Sequence, residues 1–137
     1  MTAEWLFIRD FSKINFGEET NLLARTWHEG NLLPGYVNSN RRVAFFSHEG
    51  QVVTKDSEFE IFKGGSHIGW KPHRIGHDLH SKAFQVGKTV RNQPLYACRV
   101  IINGTFIYGQ VCGNDVHIIS KNEKTPELQA IDLLVLK

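Results

Sequence analysis

The sequence predicts an all-β protein built from two diverged copies of one small unit. Aromatic residues make up 11% of the 137 residues, and aromatic side chains are favoured in strands. Glycine and proline interrupt the chain too often for a helical period of useful length. Residues 24–63 also align with residues 98–137 without a gap, at an offset of 98 − 24 = 74. Together these observations indicate strands arranged in a repeat.

The repeat rests on identical residues at matching positions. Seven of the 40 aligned positions are identical: Arg25/Arg99, Gly30/Gly104, Gly35/Gly109, Val37/Val111, Asn40/Asn114, Glu49/Glu123 and Lys63/Lys137. The glycine-rich segment 64–67 divides the chain into a first repeat at about 1–63 and a second at 64–137. A unit of about 65 residues buries little apolar surface by itself. We therefore predict a single domain in which two interlocked repeats, related by a pseudo-two-fold axis, share one core.

Two short turns give the strongest strand predictions. Asn103-Gly104 and Glu29-Gly30 each separate two apolar segments, as in a two-residue hairpin. The predicted strands are Asn21–His28, Asn31–Val37, Val43–Ser47, Phe59–Phe62, Leu95–Ile102, Thr105–Val111, Val116–Ser120 and Asp132–Leu136.

Composition excludes several functional classes. The formal net charge is +2 and no basic run is long, so a nucleic-acid partner is not expected. No apolar run is long enough for a membrane span. The first residues lack the basic region of a secretory signal, so we expect a protein that is cytoplasmic or non-classically exported. Cys98 and Cys112 are then expected to be free thiols.

Short motifs recur in both copies. The first copy carries Trp5, Phe16-Gly17, Leu22–Arg25, Gly30, Leu33–Gly35, Glu49 and Phe59–Phe62. The second carries Trp70, Ala83–Gly87, Pro94–Arg99, Gly104, Gly109, Glu123 and Leu133–Leu136. With these motifs the chain resembles the tandem DM-nine repeat family over nearly its whole length.

The resemblance implies an all-β homodimer with mannose-type lectin activity, used to recognise microbial surfaces. It also implies where a sugar binds, because family members use a carboxylate after a Gly-Gly pair and the lysine of a Pro-Gly-Lys motif. The matching positions here are Glu18 and Tyr36 in the first copy, and Lys88 and Gln110 in the second. We expect these four residues to be the ligand-binding set, with the Tyr36 ring offering a face to the sugar.

Neither copy keeps the carboxylate and the lysine together, so two hypotheses stay open. One is a glycan-binding protein with weak, avidity-dependent binding of mannose-type sugars. The other is a scaffold of the same fold that has lost its sugar site and acts through protein partners.

Two arginines in apolar strands are predicted to be structural. Arg25 and Arg99 recur in both copies, as do Glu49 and Glu123. Because an arginine fork paired with a carboxylate can hold strands together, we expect these residues to form ion pairs inside the protomer.

A histidine-rich segment raises a third hypothesis, metal binding. His73, His77 and His80 lie close together, but Pro72 and Gly76 prevent a helix that would align them. An exposed, weakly basic loop is the favoured interpretation, and no metal or cofactor is expected. The chain also lacks the glutamate of a His-Glu-x-x-His motif, a Gly-x-Ser-x-Gly elbow and a complete phosphate-binding loop around Gly87-Lys88-Thr89. We therefore expect a binding protein and not an enzyme.

Overall fold

The computed structural model describes residues 4–119 and 130–137, and this part of the chain is almost entirely β-structure. The twelve described strands are β1 (Glu4–Ile8), β2 (Asn21–His28), β3 (Asn31–Asn38), β4 (Val43–His48), β5 (Gln51–Lys55), β6 (Phe59–Gly64), β7 (Ile68–Arg74), β8 (Gln85–Lys88), β9 (Pro94–Ile102), β10 (Thr105–Cys112), β11 (Asp115–Ile118) and β12 (Ala130–Leu136). A short 3₁₀ turn at Phe11–Lys13 follows β1. The all-β prediction is confirmed. No helix in the described residues is long and apolar enough to cross a membrane.

Three hairpins share one type of tight turn. Glu29-Gly30 joins β2 to β3, Glu49-Gly50 joins β4 to β5, and Asn103-Gly104 joins β9 to β10. Both residues of every turn have positive φ, from +49° at Glu29 to +81° at Gly30. This is the φ signature of the type I′ turn, whose twist matches that of antiparallel strands. Two of these hairpins were predicted from the sequence, and the Glu49-Gly50 hairpin was not.

The two halves of the chain pair their strands in the same order. The first half runs β1-β6-β2-β3-β4-β5 and the second runs β7-β12-β9-β10-β11, with every neighbour antiparallel. Strand β8 links the halves, because it pairs with β9 and also bridges to β3 through Leu32 and Lys88. The shared order agrees with two related units, and the pseudo-two-fold axis stays a prediction.

The gap-free alignment is wrong beyond β3. Up to that point the offset of 74 holds, since Asn38 and Cys112 end equivalent strands β3 and β10. Four residues then separate Asn38 from Val43 in the first half, whereas two separate Cys112 from Asp115 in the second. The offset therefore falls to 115 − 43 = 72, and the closing strands β6 and β12 correspond at that offset.

The core consists of three clusters of buried side chains. One lies around Phe46 and Phe59 of the first half and also includes Leu95 of the second, and another lies in the second half around Val111 and Leu133. The third is shared by both halves: Leu23, Tyr36, Phe45, Ile68, Val86, Ala97, Tyr108, Ile119 and Leu134. This cluster joins side chains of both halves, which agrees with the predicted common core.

Candidate functional site

A cavity of about 530 Å³ lies where the first half meets the second. Its lining comes from the β2–β3 and β4–β5 hairpins on one side and from β8 to β11 on the other. Most of the lining groups are polar: Asn31, Leu33, Ser47, His48, Glu49, Gly50, Thr89, Val90, Arg91, Gln93, Leu95, Gln110, Cys112, Asp115 and His117. The volume is in the range of small-molecule sites. Several hydrogen-bonding groups therefore converge on a space large enough for a ligand.

Gln110 is the least satisfied polar residue of the cavity. It lies on β10, opposite His117 of β11, and is 9% exposed. Its Oε1 is buried and has no hydrogen-bond partner. Among the buried side-chain oxygen and nitrogen atoms of the described residues, it is the one that lacks a partner. An unpaired buried acceptor costs about 1–3 kcal/mol of stability. Such an atom calls for a functional explanation.

Asn31 orders the rim of the cavity and connects the two halves. Its Nδ2 donates to the His28 carbonyl at 3.1 Å and the Glu29 carbonyl at 3.2 Å, which fixes the first hairpin turn. Its Oδ1 accepts from the Val90 amide at 2.8 Å. The loop after β8 is closed by Thr89, whose amide donates to the Gln93 carbonyl at 2.9 Å. Both walls are thus held by hydrogen bonds.

Tyr36 is the counterpart of Gln110 in the first half, and the structure places it in the core. Its side chain is 4% exposed, and its hydroxyl donates to the Ile119 carbonyl at 3.0 Å. Burial raises the pKa of this phenol, and nearby Arg41 acts against that shift. This placement corrects the expectation that Tyr36 offers an exposed ring face to a sugar, because the ring packs against Phe45 and Tyr108.

Glu18 and Lys88 lie outside the cavity lining. Glu18 is an exposed turn residue next to Gly17, whose amide donates to the Asn15 side chain. Lys88 is half-buried at the end of β8. Of the four residues expected to bind a ligand, the structure brings Gln110 alone to the cavity.

Arg25 forms an ion pair inside the protomer, but with a different partner from the one expected. Its Nε donates to Glu60 Oε1 at 3.1 Å, and its Nη1 donates to the Val86 carbonyl at 2.9 Å. Its guanidinium also lies over the Trp5 ring, 4.0 Å from the centroid. The prediction that Arg25 pairs with Glu49 is wrong, because Glu49 occupies an exposed hairpin turn.

Arg99 repeats this arrangement in the second half. Its Nε donates to Asp132 Oδ2 at 3.3 Å, and its guanidinium lies 4.4 Å from the Trp70 centroid and 4.1 Å from that of Phe106. Glu123, the partner expected for it, lies outside the described residues. Both arginines thus pair with an acid on the closing strand of their own half, which agrees with a structural role.

The histidine-rich segment is partly a strand. His73 belongs to β7 and was expected in an exposed loop, but β7 pairs along its length with β12. The pKa of His73 is lowered, first by burial and then by the neighbouring His77 and His80. His80 is engaged elsewhere, since its Nδ1 accepts from the Lys82 amide and its Nε2 lies 3.1 Å from Lys71 Nζ.

A second histidine group was missed by the sequence analysis. His28, Glu29 and His48 each offer one ligand-type atom, and all three atoms lie within 4.8 Å of one another. The two histidines are 20 positions apart on different hairpins, which hides the group from spacing rules (48 − 28 = 20). A signal was nevertheless available, because the tripeptide His-Glu-Gly occurs twice, at 28–30 and 48–50.

Comparison with known proteins gives one family. The family model described as "DM9 repeat" matches residues 16–127. No curated protein and no solved structure matches the chain. Because the match spans 112 of the 137 residues (127 − 16 + 1), the chain belongs to the DM9 repeat family.

Proposed function

We propose that this protein is a lectin-like recognition module that binds a mannose-type glycan in the cavity at Gln110. One observation carries the proposal: Gln110 lines a polar cavity, and its amide oxygen is buried without a hydrogen-bond partner. Rotation of the amide toward the cavity would let a sugar hydroxyl donate to this oxygen and would remove its desolvation penalty. Family membership is compatible with such a role. The protein acts by binding, without a catalytic step.

The other lining groups suit a sugar. Asp115 offers a carboxylate and Arg91 a guanidinium, and both are planar groups that bind pairs of vicinal hydroxyls. Val90, which is 64% exposed, supplies apolar surface for the C–H face of the ring. Few of these contacts are charged and buried, so a single site binds weakly. Multivalent presentation would then give the useful avidity.

Titration calorimetry with mannose and a mannose-rich oligosaccharide tests the site. Gln110→Leu keeps the approximate size of the side chain and removes its polar group. We expect affinity to fall about tenfold, the worth of one to two neutral hydrogen bonds. The matched control is Gln51→Leu, the same change at an exposed residue outside the cavity lining, and it should leave affinity unchanged.

Two outcomes would contradict the proposal. If Gln110→Leu binds like the wild type while Glu18→Gln or Lys88→Ala loses binding, the sugar site lies at those turns. If the wild type binds nothing on a broad glycan array, the scaffold hypothesis replaces the lectin hypothesis.

We also propose that the protein is a homodimer, which would supply two sites for multivalent binding. Strand β1 supports this, because among residues 4–119 and 130–137 it pairs with β6 alone, which leaves its other edge without a described partner. Leu6 and Phe7 on this strand are 44% and 49% exposed. Light scattering should give about twice the protomer mass of 15.6 kDa, and Leu6→Glu should shift it toward the monomer. A mass of one protomer at every concentration would refute the dimer.

A further inference from the structure

We propose that His28, Glu29 and His48 form a binding site for one divalent transition-metal ion of the zinc class. Glu29 Oε2 lies 3.2 Å from His48 Nε2 and 3.8 Å from His28 Nε2. The two imidazole rings are 5.0 Å apart. The metal site does not rest on the proposed glycan binding, since its three ligand atoms are identified by their own geometry, although His48 also lines the cavity.

Hairpin geometry brings the three side chains together. His28 is the last residue of β2, directly before the Glu29-Gly30 turn, and His48 is the last residue of β4, directly before the Glu49-Gly50 turn. Strands β3 and β4 pair with each other, so the tips of the two hairpins lie side by side at one end of the sheet. The hydrogen bonds from Asn31 hold the carbonyls of His28 and Glu29 and therefore fix the first tip.

The distances from the Glu29 carboxylate to the two histidines are close to those around tetrahedral zinc. Zinc–nitrogen and zinc–oxygen bonds of about 2.0–2.2 Å place neighbouring ligand atoms about 3.3–3.6 Å apart in a tetrahedron. The two measured separations, 3.2 and 3.8 Å, bracket this range. The Glu29 side chain is 70% exposed and free to make the remaining small adjustment.

The donor set selects the class of metal. Two imidazoles and one carboxylate suit zinc, cobalt, nickel or copper, whereas calcium and magnesium prefer sites made of oxygen atoms. Three protein ligands leave a position open for water or another group. Since the side chains of His28 and His48 are 28% and 18% exposed, an ion can reach them from solvent.

Titration of the full chain with Co²⁺ tests the site, because four-coordinate cobalt gives strong visible absorption bands and Zn²⁺ displaces it. We expect one ion per chain. Loss of a group that only supports a metal ligand costs about 10–100-fold in affinity, so His28→Ala and His48→Ala should each cost about 100-fold or more. Glu29→Gln keeps the size of the side chain, removes its charge and should also weaken metal binding.

The matched control is the double variant His73→Ala, His77→Ala, which removes two histidines of the other cluster. It should bind Co²⁺ as the wild type does. Far-ultraviolet dichroism establishes that each variant is folded, and His28→Gln and His48→Gln replace any alanine variant that is not. The proposal is overturned if the wild type binds neither Co²⁺ nor Zn²⁺. It is also overturned if binding survives loss of His48, or if the control variant loses it.

Discussion

The two halves of the molecule share a strand order but use matching positions differently. In both, an arginine on β2 or β9 pairs with an acid on the closing strand and lies over a tryptophan on the first strand of its half. These three side chains are Arg25, Glu60 and Trp5 in the first half. Their counterparts are Arg99, Asp132 and Trp70. The framework that holds the sheet is thus kept, while other positions have diverged.

Divergence is clearest at Tyr36 and Gln110, which occupy equivalent positions on β3 and β10. Tyr36 fills its surroundings with an aromatic ring and satisfies its hydroxyl on the Ile119 carbonyl. Gln110 leaves a cavity beside it and keeps an unpaired acceptor. One position can therefore be filled by a packed side chain in one half and lie beside a cavity in the other.

The tips of the β2–β3 and β9–β10 hairpins also differ, and here the candidate binding residues lie in the first half. His28-Glu29 in the first half occupies the position equivalent to Ile102-Asn103 in the second. Neither Ile102 nor Asn103 has a side chain that is a usual metal ligand. The proposed metal site therefore belongs to the first half, and the proposed glycan site depends on a residue of the second.

The largest effect is expected where the halves have stayed alike, at Gly35 and Gly109. A methyl group on Gly35 would collide with the Phe45 carbonyl, and one on Gly109 with the His117 carbonyl. Neither backbone can move without disturbing its strand pairing, so Gly35→Ala and Gly109→Ala should each lower the free energy of unfolding by about 3 kcal/mol. Urea denaturation measures both.

The control for this pair is Gly104→Ala, where a methyl group meets no neighbouring atom. Its φ of +80° is strained for alanine, and we expect a loss of about 1 kcal/mol. If the losses in the free energy of unfolding caused by Gly35→Ala and Gly109→Ala differ by more than the loss caused by Gly104→Ala, the two strand pairs are not equivalent in packing.

An effect of intermediate size, with opposite signs in the two halves, is expected at Tyr36 and Gln110. Tyr36→Phe leaves the buried Ile119 carbonyl without its donor and should destabilise the protein by about 1–2 kcal/mol. Gln110→Leu removes an unpaired buried acceptor and should stabilise the ligand-free protein by about 1 kcal/mol. Thermal unfolding of both variants checks the signs. Destabilisation by Gln110→Leu would show that the amide contributes to the fold itself.

The sequence revealed the framework better than the sites. The Asn103-Gly104 and Glu29-Gly30 turns were predictable because a two-residue hairpin depends on local backbone preferences. The partners of Arg25 and Arg99 were not, because a loop longer by two residues in the first half shifts the closing strands out of the gap-free alignment. Recurrence alone then pointed to Glu49, which lies in a turn.

Sites assembled from distant segments were beyond local reasoning. The cavity combines residues from Asn31 to His117, and Gln110, the one lining residue predicted to bind a ligand, came from a family resemblance. Strand β5 escaped prediction because it is a short, largely exposed strand paired on one side only. Strand β7 carries Pro72, which suits an edge position but argues against a strand when only the sequence is read.

The smallest effect is expected at His73, whose counterpart in the first half is the buried Ile8. Each residue follows the tryptophan of its half by three positions. Ile8 pairs with Phe59 and His73 pairs with Ile131, both on the closing strands. The pKa of His73 is lowered in the folded state by burial and by repulsion from His77 and His80. In the unfolded chain this histidine has its ordinary pKa of about 6.5 and therefore binds a proton more readily than in the folded protein. The contribution of His73 to stability is consequently lost as the pH falls from about 6.5 toward the lower pKa of the folded state. His73→Ile, which copies the first half, should reduce the loss of stability between about pH 7.5 and pH 5, measured by urea denaturation with a chelator present to exclude metal effects. His77→Asn should reduce this loss of stability by a smaller amount, since it removes only the repulsion between His77 and His73. A pH dependence that is unchanged in His73→Ile would mean that this residue is no more sensitive to acid than the apolar residue that replaces it in the other half.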